Sequence, residues 1–146
     1  MARFSLILFA SLLFVGCETT SGSASDADGP REPISKTIGL ASNGEQLNLR
    51  VGDTLNVSLP QNPTTGYSWN SIGVMDGVLT RQGNAQTKSL TTDGNNPQLI
   101  GAPSETVWTY QATEAGEAKL EYEYVRSWEK NTQPSKVFTV KVIVSP

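Results

Sequence analysis

The chain has 146 residues, with 11 Lys and Arg against 14 Asp and Glu for a formal net charge of -3. That length accommodates one domain plus appendages, and no window concentrates cations as a phosphate-binding surface does, which argues against a nucleic-acid partner. There is no histidine and only one cysteine, Cys17, which excludes Ser-His-Asp and Cys-His catalysis, an internal disulfide and a thiolate metal cluster.

Residues 1–16 carry Arg3 and then an unbroken small and apolar run from Phe4 to Val15. The run is about a dozen residues long against the roughly 20 that span a bilayer, so it reads as a secretory signal rather than a permanent transmembrane helix. Its ending, Leu13-Phe14-Val15-Gly16-Cys17, resembles a bacterial lipobox. That resemblance implies a lipidated Cys17, a membrane anchor and a place in the bacterial cell envelope; the alternative is a conventional signal with an incidental cysteine. From Glu18 to Pro33 the chain is Thr, Ser, Gly, Ala and Asp with almost nothing apolar. Such a segment buries too little surface to order itself, and as a tether it has an r.m.s. reach of roughly 20 Å.

The folded domain is expected over residues 34–146. Asn43-Gly44 and Val51-Gly52-Asp53 punctuate its beginning, and Leu55, Val57 and Leu59 alternate with Thr54, Asn56 and Ser58 as a half-buried strand does. Asn62-Pro63-Thr64-Thr65-Gly66 follows, before Tyr67 and Trp69 resume the alternation. Pro63 fixes its own φ and pushes Asn62 towards extended geometry, Thr64 and Thr65 have few χ1 choices, and Gly66 is free to take positive φ. A loop with so little freedom loses little entropy when it meets a partner.

Residues 75–96, rich in Gly, Asn, Gln, Thr and Asp, read as one or two weak strands plus loop; Asp93-Gly94-Asn95-Asn96 lacks the spaced carboxylates of a calcium loop. Alternation then becomes strong. Trp108, Tyr110 and Ala112 share one face, residues 113–116 make a turn, Leu120, Tyr122 and Tyr124 share the next inward face, and Phe138, Val140, Val142 and Val144 the last. Several short antiparallel strands with no helix-period stretch predict an all-β sandwich.

Glu121 and Glu123 stand two apart on an outward strand face, a spacing that brings two carboxyls about 6 to 7 Å apart, near glycosidase geometry. Lys119 shares that face, and a solvated strand surface is the simpler reading. Thr64 and Thr65 have no base beside them, so nucleophilic catalysis has no mechanism. Trp128 follows Arg126 in the polar loop Arg126-Ser127-Trp128-Glu129-Lys130, beyond the last inward residue Tyr124, which suggests a ring held out towards a partner. Folding back over a core edge is the alternative.

Taken together, Asn62-Pro63-Thr64-Thr65-Gly66, Leu99-Ile100-Gly101-Ala102-Pro103-Ser104 and Tyr124-Val125-Arg126-Ser127-Trp128 resemble, in order and spacing, the three loop motifs of the chagasin family, inhibitors of papain-like cysteine peptidases. The resemblance runs from about Lys36 to the end. It implies an immunoglobulin-like β-sandwich with three loops gathered at one end as a wedge that covers the peptidase's catalytic centre. Protease contact would come from Asn62, Pro63, Thr64, Thr65, Gly66 and Tyr67 at the centre, Arg126, Ser127 and Trp128 on one side, and Gly101, Ala102, Pro103 and Ser104 on the other. Pro103 and Ser104 replace the family's paired glycines, which removes an amide donor, and Ser127 replaces a proline, which implies a looser third loop. The expectation is therefore a monomeric, exported inhibitor without cofactor or metal. The alternative function is an envelope lipoprotein whose sandwich binds a non-protease ligand or partner.

Overall fold

Period-two alternation puts one set of side chains on each face of a strand, and the strands here bury their apolar faces against each other across two sheets. The computed structural model describes residues 31–73, 77–90 and 103–146. In chain order these form β1 (Ser35–Ile38), a 3-10 turn (Leu40–Ser42), β2 (Gln46–Arg50), β3 (Thr54–Gln61), a second 3-10 turn (Pro63–Thr65), β4 (Tyr67–Ser71), β5 (Leu79–Arg81), β6 (Gln86–Ser89), β7 (Ser104–Ala112), β8 (Gly116–Arg126) and β9 (Lys136–Ser145). One sheet has the order β1-β3-β7-β5 with β6 also on β7, and the other has the order β2-β9-β8-β4.

The core is what the alternation predicts. Leu55, Val57, Leu59, Tyr110, Tyr122, Phe138, Val140 and Val142 are each fully buried. Two tyrosine hydroxyls inside this core satisfy each other, Tyr110 and Tyr122 lying 2.7 Å apart, so the apolar interior holds no orphaned phenol. Residues 79–89 supply two short strands, β5 and β6, as the weak pattern there suggests.

Two pairings depart from the expected antiparallel pattern. β1 runs parallel to β3, and β2 parallel to β9. Strands β1 and β2 follow one another but join different sheets, each adding to an edge, so the Asn43-Gly44 corner connects the sheets instead of closing a hairpin. That corner is held by β9: the Asn43 side chain accepts from Thr139 N at 2.8 Å, and Gly44 N donates to Thr139 O at 2.7 Å. Pro60 sits within β3, where the lack of an N–H is tolerated because β1 stops at the Ile38–Val57 pair and leaves that flank of β3 without a ladder partner among the described residues.

Arg31, the first described residue, is already tied to the domain that the sequence opens near Ile34. The cause is Asp53, a carboxylate 1% exposed. It is ion-paired to the Arg31 guanidinium and accepts from Ile34 N at 3.0 Å and Arg50 N at 2.9 Å. Burial alone opposes its charge, but these three donors outweigh it and hold the carboxyl below its ordinary pKa. The expected signal, Cys17 and the tether as far as residue 30 lie outside the described residues.

Candidate functional site

Strand β3 ends on Gln61 and β4 begins on Tyr67, and the segment between them is a closed turn. Asn62 is its hub. The Asn62 side-chain oxygen accepts from Thr64 N at 3.2 Å and Thr64 Oγ1 at 2.6 Å, while its carbonyl accepts from Thr65 N at 3.1 Å and Thr65 Oγ1 at 2.7 Å. Gly66 N donates to Pro63 O at 3.1 Å, and Gly66 takes φ +76°. This left-handed residue ends the 3-10 turn and sends the chain into β4. Underneath, the Tyr124 hydroxyl accepts from Asn62 N at 3.2 Å, so a core tyrosine of β8 anchors the start of the tip.

Strand β4 pairs antiparallel with β8, placing Tyr67 opposite Arg126. Arg126 reaches back over the turn: its Nε donates to Thr65 O at 3.2 Å, and its guanidinium carbon lies 4.5 Å from the Tyr67 ring centre. Tyr67 in turn stacks on Tyr124 at 5.2 Å, and Tyr124 meets Trp69 at 4.9 Å. Glu129 completes the arrangement with a 2.8 Å ion pair to Arg126, a hydrogen bond that raises the arginine pKa further above its ordinary value. Glu129 N also donates to Arg126 O at 3.1 Å, closing the turn that carries Ser127. The loop expected to be loose for want of a proline is thus tied by backbone and side chain.

Trp128, at the crest of that turn, is 64% exposed. Its indole lies directly over Gly66: a Cβ at residue 66 would fall 2.1 Å from Cη2 and 2.8 Å from Cζ2. The threonine tip and the exposed indole therefore form one continuous edge, which joins the first motif to the third.

Of the second motif, Pro103 and Ser104 are described, and they stand at the start of β7. Its first residue, Ser104, pairs with Gln61 of β3 on one side and with Ser89 of β6 on the other. Pro103 is exposed, but Ser104 is 5% exposed and its hydroxyl donates to Gln61 O at 3.4 Å. Ser104 thus faces inward and ties β7 to β3 beneath the tip, unlike the contact residue that the sequence suggests. Residues 99–102, including Gly101 and Ala102, lie outside the described residues. Tyr124, which the sequence marks only as an inward residue opening the third motif, and Glu129 are positioning residues; a four-residue turn brings its first and fourth residues together, which is the signal for Glu129.

Chemically the edge is inert. Both threonine hydroxyls donate to Asn62 oxygens. Among the described residues no group of three or more potential ligands is placed to hold a metal. Glu121, the other enzymatic candidate, is ion-paired with Lys119 at 2.6 Å on the outer sheet face.

Fold and edge together define a class: a β-sandwich with a rigid, non-catalytic recognition edge at one end. Residues 48–142 match the family described as Chagasin family peptidase inhibitor I42. Amoebiasin-1 of Entamoeba histolytica is 30% identical over 103 residues, covering 70% of this chain and 93% of that protein. Chagasin of Trypanosoma cruzi is 28% identical over 108 residues, 73% of this chain and 96% of its own. Among solved structures, the crystal structure of the cysteine protease inhibitor EhICP2 from Entamoeba histolytica has a TM-score of 0.68 at 22% identity, covering 80% of this chain and 100% of that one. PbICP-C, solved in complex with falcipain-2, has a TM-score of 0.50 at 17% identity, covering 80% and 95%. The chain belongs to the chagasin family of peptidase inhibitors, and it is an inhibitor rather than an enzyme.

Proposed function

We propose that the chain is a reversible inhibitor of papain-like cysteine peptidases that enters the active-site cleft with the Asn62–Gly66 tip, flanked by Tyr67, Arg126, Ser127 and Trp128, with the loop through Gly101, Ala102 and Pro103 on the other flank. The observation that carries this reading is the packing of the Trp128 indole on Gly66, which makes tip and aromatic flank one edge. A peptidase cuts a chain it can hold extended. The tip instead presents a turn whose amides are engaged with Asn62 O and Pro63 O, so it fills the cleft without offering a scissile bond in register. Its order before binding limits the entropy lost on docking.

Titrating papain with the purified protein against a peptide substrate tests this. Competitive, reversible loss of activity with the inhibitor recovered uncut is expected, and no inhibition at micromolar concentration contradicts it. The same proposal places the inhibitor as a monomer at the bacterial envelope, anchored through a lipidated Cys17 that follows the apolar run Phe4–Val15. Mass spectrometry of the membrane-fraction protein should find acyl chains on Cys17, and an unmodified Cys17 would remove the anchor.

A further inference from the structure

The five-stranded sheet brings a second apolar group to the inhibitory end. Ser104 pairs at once with Gln61 of β3 and Ser89 of β6, so the ends of three adjacent strands stand in one row. At about 4.8 Å between neighbouring strands, the chain at Ser89 runs only ~10 Å from the chain entering the Asn62 tip. Leu90 is the next residue, and it is not a loose end: its N–H donates to Pro103 O at 2.9 Å, extending the β6–β7 ladder by one bond. Its side chain is nevertheless 51% exposed.

A single exposed leucine on a protein surface is ordinary. This one differs in its neighbours. On the same corner Ser104 is turned inward to Gln61, and Pro103 has no N–H to offer a partner. Trp128 rises from the other sheet, beyond the far side of the Gly66 turn. Among the described residues, Leu90 is thus the exposed large apolar side chain on the β6–β7 flank of the edge, as Trp128 is on the β8 flank.

We propose that Leu90 is a further peptidase contact, inserting into an apolar depression on the peptidase surface beside the cleft, on the flank opposite the one that receives Trp128. The inference rests on the proposed inhibition of papain-like peptidases and assigns to that interface a residue outside all three motif loops. Continuity with the edge argues for the occupant: Leu90 lies one residue beyond the strand end that stands in a row with Ser104 and Gln61, beside the chain that enters the tip. The leucine also supplies that flank with apolar burial where Pro103 and Ser104 supply no free backbone amide.

The test is the inhibition constant against papain for the purified wild-type protein, Leu90→Ala, Leu90→Asp, Trp128→Ala and Leu90→Asp combined with Trp128→Ala, with a thermal unfolding scan of each. Loss of about tenfold for Leu90→Ala and about a hundredfold for Leu90→Asp is expected, with the unfolding midpoint moved by less than about 2 °C. The loss in the double variant should be close to the product of the single losses, because the two side chains come from different sheets and share no contact. If the wild type inhibits and Leu90→Asp inhibits within twofold of it, the Leu90 contact is wrong while the inhibitor reading stands. If the wild type does not inhibit, both fall.

Discussion

The six-membered ring of Trp128 rests on the Cα of Gly66, close enough that a methyl group at residue 66 would lie 2.1 Å from Cη2. Gly66 is thus required twice, once for its φ of +76° and once as the floor beneath the indole. Gly66→Ala is expected to weaken peptidase inhibition by at least tenfold while costing about 1 kcal/mol of stability, since the exposed ring is free to swing aside but the edge is then broken. Inhibition constants and denaturant midpoints measured side by side check the difference.

Trp128→Ala removes a side chain that is 64% exposed, so the fold loses little by it. Inhibition should weaken by about 2 kcal/mol, with the unfolding midpoint shifted by no more than about 2 °C. Unfolding of the domain by this substitution would place the indole among the core residues instead.

Tyr124 links core to tip through the hydrogen bond from Asn62 N to its hydroxyl. Tyr124→Phe deletes only that acceptor, costing about 1 kcal/mol of stability. The larger expected consequence is faster amide hydrogen exchange at Asn62, Thr64, Thr65 and Gly66, with a several-fold weaker inhibition constant, because a looser tip loses more entropy on docking. Unchanged exchange there would mean that the turn is held without the Tyr124 hydroxyl.

Asp53 makes stability depend on acidity. Its folded pKa lies below the ordinary value, so its contribution is present above the unfolded value near 4 and is lost as pH falls through the folded value. Stability should therefore fall in the wild type as pH drops below about 4. Asp53→Asn should flatten that fall and lower neutral-pH stability by roughly 2 to 3 kcal/mol, mostly through the amides of Ile34 and Arg50, since the Arg31 partner is partly solvated. Urea midpoints across this pH range check both statements.

The sandwich was legible because its long strands alternate cleanly: Leu55 to Leu59, Trp108 to Ala112, Leu120 to Tyr124 and Phe138 to Val144 all bury the face that the alternation marks. The tip was legible because Pro63, the two threonines and Gly66 constrain the backbone locally. What escaped depends on partners far away in the chain. Nothing within Ser35–Ile38 or Gln46–Arg50 says that each joins a different sheet in parallel. Ser104 looked like a loop residue since a small hydroxyl is compatible with either face of a strand, and only its pairing with Gln61 turns it inward. Arg31 looked like tether because its partner, Asp53, is 22 positions on.

An inhibitor whose Thr64-Thr65 tip sits over the peptidase's catalytic cysteine, with Trp128 on the flank, must shield that cysteine from small reagents. Alkylation of that cysteine in papain by iodoacetamide, followed with and without a saturating amount of this protein, tests it directly. Strong protection by the wild type and reduced protection by Trp128→Ala at the same concentration are expected; alkylation at the unprotected rate in a complex shown to have formed would overturn that placement of the tip.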